Sequence, residues 1–340
     1  MSLRVNLYSD TQTRPTAAMR QAIAEAEVGD EQRLDDPTVL RLQKRVAELL
    51  GHEAGLFLPS GTMCNGIGFR LHIRAGGDEV ILHRTSHPII AEAGGPAELA
   101  GAMTNRLDGE AGMFTAQQVE EAVLPADRYL PRTRLVSVEQ TTNMGGGRVW
   151  PLEQIREVLE VARGHRLRTH LDGARLLNAS AASGVPAADY ASPFDTAWLD
   201  FSKGLGAPVG AVLCGSADLI AEAWRWKQML GGAMRQAGVL AAACLHALDH
   251  HVERLADDHE NARVLADGLR GLGLEVLPQE TNIVIASVED PAGLIAALAE
   301  EGVRISSAGR GRIRCVTHLD VDRAGVDEAL GAFGRVLSRA

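Results

Sequence analysis

The sequence predicts an α/β protein with a large domain built on a mostly parallel sheet and a smaller C-terminal α/β domain. Between residues 55 and 213, short apolar runs typical of buried strands alternate with helical segments. Polar side chains and glycines follow directly after these runs, as they do where parallel strands end. A second group of strands and helices comes after residue 250. We therefore predict an N-terminal arm and large domain over 1–250 and a small domain over 251–340.

The individual elements follow from apolar periodicity, capping residues and glycines. A polar arm over 4–16 precedes a helix over 16–27, and an acidic loop over 29–38 caps a helix that ends at Gly51. The strands predicted next are 55–59, 79–83, 134–139, 168–172, 196–201 and 209–213. Helices are predicted from Ser60, from His87 to Glu92, over 152–163 and over 237–272. The small domain is predicted to contain strands 274–277, 283–287 and 312–316 and helices 291–301 and 321–338.

Composition narrows the functional classes. The chain has 340 residues, 46% of them hydrophobic, and a formal net charge of -10, which argues against a general nucleic-acid or acidic-membrane partner. The four cysteines are far apart and lie in no CxxC pair, so neither a disulfide framework nor a set of metal ligands is predicted. The first residues lack the apolar core of a signal peptide, and charges interrupt every apolar stretch. We expect a cytoplasmic protein.

Lys203 is the main candidate for chemistry. It lies between the apolar run 196–201 and a glycine-rich turn over 204–210. The glycines allow a tight reversal that would place the amine beside backbone, where desolvation disfavours its charged form and makes it a nucleophile. A solvated lysine in an ordinary turn is the alternative that this stretch alone leaves open.

Three further candidates fall at predicted strand ends. Ser60, Gly61 and Thr62 open a helix, where free N–H groups and the helix dipole favour a phosphate. Asp172 follows the strand that begins at residue 168, and His87 follows the strand 79–83. Helix caps and a structural histidine are the alternatives. Together with Lys203, however, these residues meet what pyridoxal phosphate requires: an amine, a phosphate cradle, a carboxylate for the pyridine nitrogen and a flat group over the ring.

The motifs resemble, in order and over nearly the whole chain, the L-threonine aldolases of the low-specificity type. These are fold-type I pyridoxal-phosphate enzymes of the beta-eliminating lyase superfamily. The most specific stretches are His170–Arg175, which reads HLDGAR, and Ser202–Pro208, which reads SKGLGAP. The others are Ser9–Thr11, Ser60–Met63, His87 with Glu92–Gly95, Gly231–Gln236 and Val316–His318.

The resemblance implies a seven-stranded sheet, cleavage of a β-hydroxy-α-amino acid to glycine and an aldehyde, and a homotetramer whose active sites are shared between subunits. It implies that Lys203 bonds to the cofactor, Asp172 holds the pyridine nitrogen and His87 stacks on the ring. Gly61 and Thr62 would bind the phosphate, with Arg235 reaching it from a neighbouring subunit. Ser9, Arg175 and Arg314 would hold the substrate carboxylate, and Arg175 is placed among the cofactor-binding residues as well. Arg312 is the second choice for the carboxylate, because residues two apart in a strand share a face.

Two departures from the usual family pattern concern the substrate. Where many members read Glu-Asn-Thr-His-Asn, this chain reads Glu139-Gln140-Thr141-Thr142-Asn143, so that Thr142 replaces an imidazole. A hydroxyl can bond the substrate but cannot accept a proton at neutral pH, which leaves His87 or a water as the base. Arg33 and Leu34 also stand where a Tyr-Gly pair is usual. The substrate side chain and the threo or erythro preference therefore stay open.

Two other classes of function remain as alternatives. One is a different reaction on the same scaffold, either β-elimination or aldol cleavage of a bulkier substrate such as phenylserine. The other is a non-catalytic protein that keeps the scaffold, against which the presence of Lys203, Asp172 and Arg175 argues. A dinucleotide-dependent dehydrogenase fits less well, because no GxGxxG motif follows the first strand.

Overall fold

The computed structural model describes residues 3–74 and 76–339. Its strands, numbered in chain order, are β1 (Val5–Asn6), β2 (Ala54–Leu58), β3 (Glu79–His83), β4 (Met103–Leu107), β5 (Thr133–Glu139), β6 (Arg168–Gly173), β7 (Thr196–Asp200), β8 (Ala211–Gly215), β9 (Glu275–Val276), β10 (Ile283–Ser287), β11 (Val303–Arg304), β12 (Ser306–Ser307) and β13 (Arg312–Val316).

The α-helices are α1 (Ala17–Ala24), α2 (Pro37–Leu50), α3 (Gly61–His72), α4 (His87–Ile90), α5 (Gly95–Ala100), α6 (Ala116–Ala122), α7 (Leu152–Gly164), α8 (Leu176–Ser183), α9 (Ala187–Ala191), α10 (Ala217–Met229), α11 (Gly238–His250), α12 (Leu255–Gly271), α13 (Pro291–Glu300) and α14 (Arg323–Leu337). Among the described residues, no helix combines the length and the apolar character needed to cross a bilayer.

The large sheet has seven strands in the order β2-β8-β7-β6-β5-β3-β4. Five neighbouring strands, β4, β3, β5, β6 and β7, run parallel, and β8 runs antiparallel to both β7 and β2. Every residue of β3, β7 and β8 is buried, as expected for strands covered by helices on both faces. The predicted α/β class with a mostly parallel seven-stranded sheet is confirmed.

A second group of strands lies in the C-terminal part of the chain. The four strands β12, β13, β10 and β9 form an antiparallel sheet. The N-terminal strand β1 pairs in parallel with β11. Val5 and Leu7 pack in the same apolar core as residues of α12, α14 and β13, whereas the core around the large sheet extends as far as Leu255.

The structure corrects three details of the predicted elements. Helix α4 ends at Ile90 and does not reach Glu92. The long helical region splits into α11 and α12, because the chain turns at 251–254 and His251 Nδ1 lies 2.7 Å from the Leu205 carbonyl oxygen. The last strand of the large sheet starts at Ala211 because Gly210 adopts a positive φ of 121°.

Candidate active site

Two of the predicted residues, Asp172 and Lys203, lie at or just after the ends of neighbouring strands of the large sheet. Asp172 lies near the end of β6, and Glu139, the last residue of β5, is its register partner. Lys203 comes three residues after β7, which pairs with β6 on the other side. Because these strands are parallel, their carboxyl ends meet at one edge of the sheet. The sheet order therefore gathers Asp172, Glu139 and Lys203 in one place.

Lys203 is held at the start of a tight loop. Phe201 donates its N–H to the Gly210 carbonyl at 3.0 Å, and Ala207 donates to the Phe201 carbonyl at 2.9 Å. The Lys203 ammonium contacts the Asp200 carboxylate and lies 5.8 Å from the centre of the Trp198 ring. Only 15% of the lysine side chain is exposed. The predicted placement of this amine beside the glycine turn and away from bulk water is thus observed.

Asp172 is buried and is held in one orientation. Its Oδ1 accepts a hydrogen bond from the Ala174 N–H at 3.1 Å, and its Oδ2 accepts one from the Asn65 amide at 2.9 Å. Burial raises the pKa of this carboxyl, although the charges of His87 and Lys203 and the bond from Asn65 oppose that rise. A pyridine nitrogen would find here a carboxylate that still has capacity to accept a proton.

His87 opens α4, and two buried carboxylates fix it. Its Nδ1 lies 2.7 Å from Glu92 Oε1, and its backbone N–H donates to Glu139 Oε2 at 2.9 Å. Burial alone would lower the pKa of His87, but the bond to Glu92 and the negative charges of Asp172 and Glu92 raise it. The nearby carboxylates therefore make this imidazole hold a proton more tightly than a free histidine side chain does.

The residues predicted to hold a phosphate lie at the start of α3. Ser60 caps the helix by accepting a hydrogen bond from the Met63 N–H at 3.2 Å. A side chain at Gly61 would begin 2.3 Å from the Trp198 ring, so only glycine allows this helix to approach β7 closely. This predicted cradle, with Thr62 as its second helical residue, thereby lies next to the strand that leads to Lys203.

A buried ion pair joins the N-terminal arm to the site. Arg175 Nε and Nη2 each donate to Asp10 at 2.7 Å, and Asn282 Nδ2 donates to the same carboxylate at 3.1 Å. Burial alone would raise the pKa of Asp10, but the charges of Arg175, Lys203 and Arg314 hold it well below its usual range. The charges of these three cations therefore all stabilise the ionised form of the Asp10 carboxyl.

Arg314 has spare hydrogen-bonding capacity. It donates from Nη2 to Asn143 Oδ1 at 2.8 Å, whereas its buried Nε has no partner among the described residues. Burial and the nearby charge of Arg175 lower the pKa of Arg314 to about 10, so that it stays charged at neutral pH. Arg312, two residues earlier in β13, is exposed. Of the two candidates, Arg314 is the one with a buried and unpaired donor.

The remaining predicted residues lie in less direct relation to Lys203. Ser9 is buried beside Asp10, and its hydroxyl accepts hydrogen bonds from the N–H and hydroxyl of Thr11. The Thr142 hydroxyl donates to the Arg148 carbonyl at 3.4 Å and is closely covered by Gly112 and Gly145. Arg235 is exposed and pairs with Asp30 at 3.0 Å. Among the described residues of one chain, the side chains of Thr142 and Arg235 thus bond to Arg148 and Asp30 and not to the residues around Asp172.

Comparison with known proteins decides the family. The sequence model of the beta-eliminating lyase family matches residues 6–291. The chain belongs to the beta-eliminating lyase family. The predicted membership is confirmed.

Individual members and folds agree with this assignment. The chain is 40% identical to the low specificity L-threonine aldolase of Escherichia coli (strain K12), over 98% of this chain and 100% of that protein. The solved threonine aldolase of Leishmania major has the same fold, with a TM-score of 0.86, 20% identity and coverage of 98% and 100% of the two chains. A structure of SPT with PLP has a TM-score of 0.75 and 20% identity, and covers 100% of this chain and 88% of that one.

In this beta-eliminating lyase, sequence reasoning missed several buried polar residues that hold the site. Asp10, Asn65, Glu92 and Glu139 were given no role. Glu139 is buried, and burial together with the charge of Asp172 raises its pKa to about 7. Its two oxygens accept hydrogen bonds from the backbone of His87 and of Asn143, and so tie together the loops after β3 and β5. A carboxylate at the end of an otherwise apolar strand was the available signal.

Proposed function

We propose that this protein cleaves an L-β-hydroxy-α-amino acid of the L-threonine or L-allo-threonine type to glycine and an aldehyde, using pyridoxal phosphate. The observation that carries the proposal is the convergence of Lys203, Asp172 and His87 at one edge of the sheet, beside the cations Arg175 and Arg314. The 40% identity to a low specificity L-threonine aldolase over the full chain supports it.

The residues present fit the cofactor. Lys203 would hold its aldehyde carbon, Asp172 its pyridine nitrogen and His87 one face of its ring. The residues Ser60, Gly61 and Thr62 at the start of α3 would hold its phosphate, because a helix N-terminus offers N–H donors and a favourable dipole. When bound, pyridoxal phosphate supplies the electron sink that C–C bond cleavage requires. The fold neighbour that carries PLP supports this assignment.

The substrate carboxylate is assigned to Ser9, Arg175 and Arg314, with Arg312 as second choice. The unpaired Nε of Arg314 and its buried charge support this role. Arg175 already shares its guanidinium with Asp10, which would keep it rigid when the substrate binds.

Arg314→Gln is expected to raise KM for L-threonine about 10- to 100-fold, since a charge-assisted hydrogen bond is worth about 1.5–3 kcal/mol. The change in kcat should be smaller, because this group binds a part of the substrate that does not react. Steady-state kinetics of Arg314→Gln and Arg312→Gln check this. A large rise in KM for Arg312→Gln alone would transfer the role to Arg312.

His87 is the proposed base for the β-hydroxyl proton, directly or through a water. Thr142 would contribute only a hydrogen bond from its hydroxyl to the substrate, because a hydroxyl does not titrate near neutral pH. The contact of His87 with Glu92, and the position of Glu139 under its backbone, support the choice.

Glu92→Gln is expected to move the acidic limb of the kcat/KM pH profile to lower pH. Glu92 raises the pKa of His87, so its neutralisation lowers that pKa and leaves the base unprotonated in more acidic solution. The profile is measured for the wild type, Glu92→Gln and Thr142→Val, and the limb of Thr142→Val should stay in place. An unmoved limb in Glu92→Gln would exclude His87 as the titrating base.

Because Thr142 stands where many family members have a histidine, two other reactions remain candidates: β-elimination and the cleavage of phenylserine. The absorbance of the purified protein and its products with L-threonine, L-allo-threonine, phenylserine and a β-substituted amino acid distinguish these. A cofactor band with release of glycine and aldehyde is the expected result. Ammonia and a keto acid would establish elimination, and the absence of a cofactor band after incubation with pyridoxal phosphate would reject the whole proposal.

We also propose a cytoplasmic homotetramer with shared sites, in which Arg235 reaches the phosphate of a neighbouring subunit. Exposed apolar residues close in sequence to Arg235 or to its ion-pair partner Asp30 support an interface there; they are Val28, Leu34, Leu40, Met229 and Val239. Light scattering should give the mass of four 36.2 kDa chains, and a monomer in active preparations would reject the shared site. The four buried free cysteines suit a reducing compartment, and cell fractionation tests the location.

The division into a large domain over 1–250 and a small domain over 251–340 is likewise proposed. Two separate apolar cores support it. Leu255, the first residue of α12, packs in the first core, whereas Val5 and Leu7 of the arm pack in the second with the later residues of α12. Limited proteolysis with cleavage near residues 250–255 is the expected sign.

A further inference from the structure

Asn65 occupies a central place beneath the site. It is the fifth residue of α3 and is 1% exposed. Its Nδ2 donates to Asp172 Oδ2 at 2.9 Å and to Glu92 Oε1 at 2.8 Å. Glu92 in turn holds His87 Nδ1 at 2.7 Å. One amide group thus contacts both the Asp172 carboxylate and the Glu92 carboxylate that holds His87.

Trp198 and His170 fix the orientation of the Asn65 amide. Asn65 Oδ1 lies 2.8 Å from Trp198 Nε1 and 3.1 Å from His170 Nε2. An indole N–H can only donate, so the oxygen of the amide must face Trp198 and its NH₂ must face the carboxylates. A flipped amide would place an NH₂ group against the indole N–H and an oxygen against two carboxylates.

Buried histidines complete the support. Burial and the charge of His72 lower the pKa of His170 to about 3, and burial lowers that of His72 to about 4, so both rings are neutral at physiological pH. The Thr196 hydroxyl lies 2.8 Å from His170 Nδ1 and 2.9 Å from His72 Nε2. With Asn65 Oδ1 as acceptor, His170 carries its proton on Nε2, and Thr196 donates to Nδ1 while accepting from His72.

We propose that Asn65 is a positioning residue. Through the two hydrogen bonds that its amide donates, it fixes the position of Asp172 relative to the Glu92–His87 pair. This inference rests on the proposed function, because the two carboxylates matter together only if a cofactor ring lies between Asp172 and His87. Without the amide, two buried carboxylates lie next to each other with no shared donor, and like charges in that position repel.

Other charged groups around the amide set the conditions of the test. His87, Lys203 and Glu139 face Asp172, whereas His170 and, through Thr196, His72 face the oxygen side. The cations His87 and Lys203 favour the charged form of Asp172. Among the residues that the structure describes, Asn65 is the neutral donor that both carboxylates share.

Asn65→Ala is expected to weaken pyridoxal phosphate binding at least about tenfold, because two charge-assisted hydrogen bonds are lost. The pH at which the bound cofactor changes its absorbance should shift as well. Asn261→Ala is the matched control: Asn261 is also buried and donates a hydrogen bond, to the Val321 carbonyl at 3.1 Å in the second core. This control should lower thermal stability and leave cofactor affinity and spectrum unchanged. If Asn65→Ala behaves like the control, the inference is overturned.

Asn65→Asp provides a second test, which can be used if the Asn65→Ala variant does not fold. A protonated carboxyl at this position can still donate one hydrogen bond, whereas its ionised form donates none and adds a third negative charge. The ratio of variant to wild-type dissociation constants for pyridoxal phosphate should therefore rise at least fivefold from pH 6 to pH 8.5. A constant ratio would overturn the inference. A wild type that does not bind the cofactor would instead reject the proposed function.

Discussion

Lys203→Ala is expected to lower the turnover rate by a factor of at least about 10³. The variant should also lack the cofactor absorbance band that depends on a covalent bond to lysine. The chain contains only three lysines, which makes the experiment unusually direct. Lys44 is exposed on α2, and Lys227 is completely buried against Glu31 and the Phe57 carbonyl. Lys203 is the lysine whose positive charge acts to lower the pKa of both Asp172 and Asp10.

Chemical reduction identifies the lysine independently of activity. Borohydride treatment of the wild type with pyridoxal phosphate, followed by peptide mass spectrometry, should place the label on Lys203. Lys44→Ala is the control and should keep both the band and the label, because Lys44 lies on the outer surface of the molecule. A label on Lys44 or Lys227, or normal turnover in Lys203→Ala, would contradict the assignment.

Asp10→Asn is expected to have the largest effect on stability, costing about 3–5 kcal/mol, because it leaves the Arg175 guanidinium buried without a counter-charge. Both side chains are almost fully buried, at 4% and 0% exposure. Asn282, which also donates to Asp10, would lose a charged acceptor. The measurement is the urea midpoint of the variant and wild type at pH 7, where the depressed pKa of Asp10 means that its stabilisation is fully present.

An exposed pair gives the matched control. Asp267 also pairs with an arginine, Arg263, but both are more than half exposed, so Asp267→Asn should change stability by less than about 1 kcal/mol. Adding Arg175→Met to Asp10→Asn should recover part of the lost stability, since the uncompensated charge is removed. Activity should not return, because Arg175 is proposed to bind substrate. Equal midpoints for Asp10→Asn and Asp267→Asn would show that burial of the pair has no energetic importance.

The sequence was most informative where one local pattern determines one element. Strands β3, β10 and β13 begin and end at the predicted residues. Strand β4 was missed: it is an edge strand, and its residues Met103–Leu107 are partly exposed and mostly polar, so no apolar run marks it. Lys203, Asp172 and His87 could be named in advance because motifs at strand ends point to them.

Their supports could not be named in the same way. Asn65 meets Asp172 across 107 positions of the chain, and Asp10 meets Arg175 across 165 and Asn282 across 272. Such partners depend on how the strands are ordered in the sheet and on where the arm folds back. No local period or spacing encodes either. A buried polar residue on an apolar helix, such as Asn65, was a signal of importance but not of its partner.

The return of the N-terminal arm has a consequence for the synthesis of the protein. Strand β1 pairs with Val303–Arg304, and Asp10, only a few residues further on, needs Asn282 as well as Arg175. A growing chain emerges from the ribosome in N- to C-terminal order, so the arm cannot dock until Val303 and Arg304 have been made. The large sheet can assemble during translation, whereas the proposed substrate pocket is completed only after Asn282 has been made.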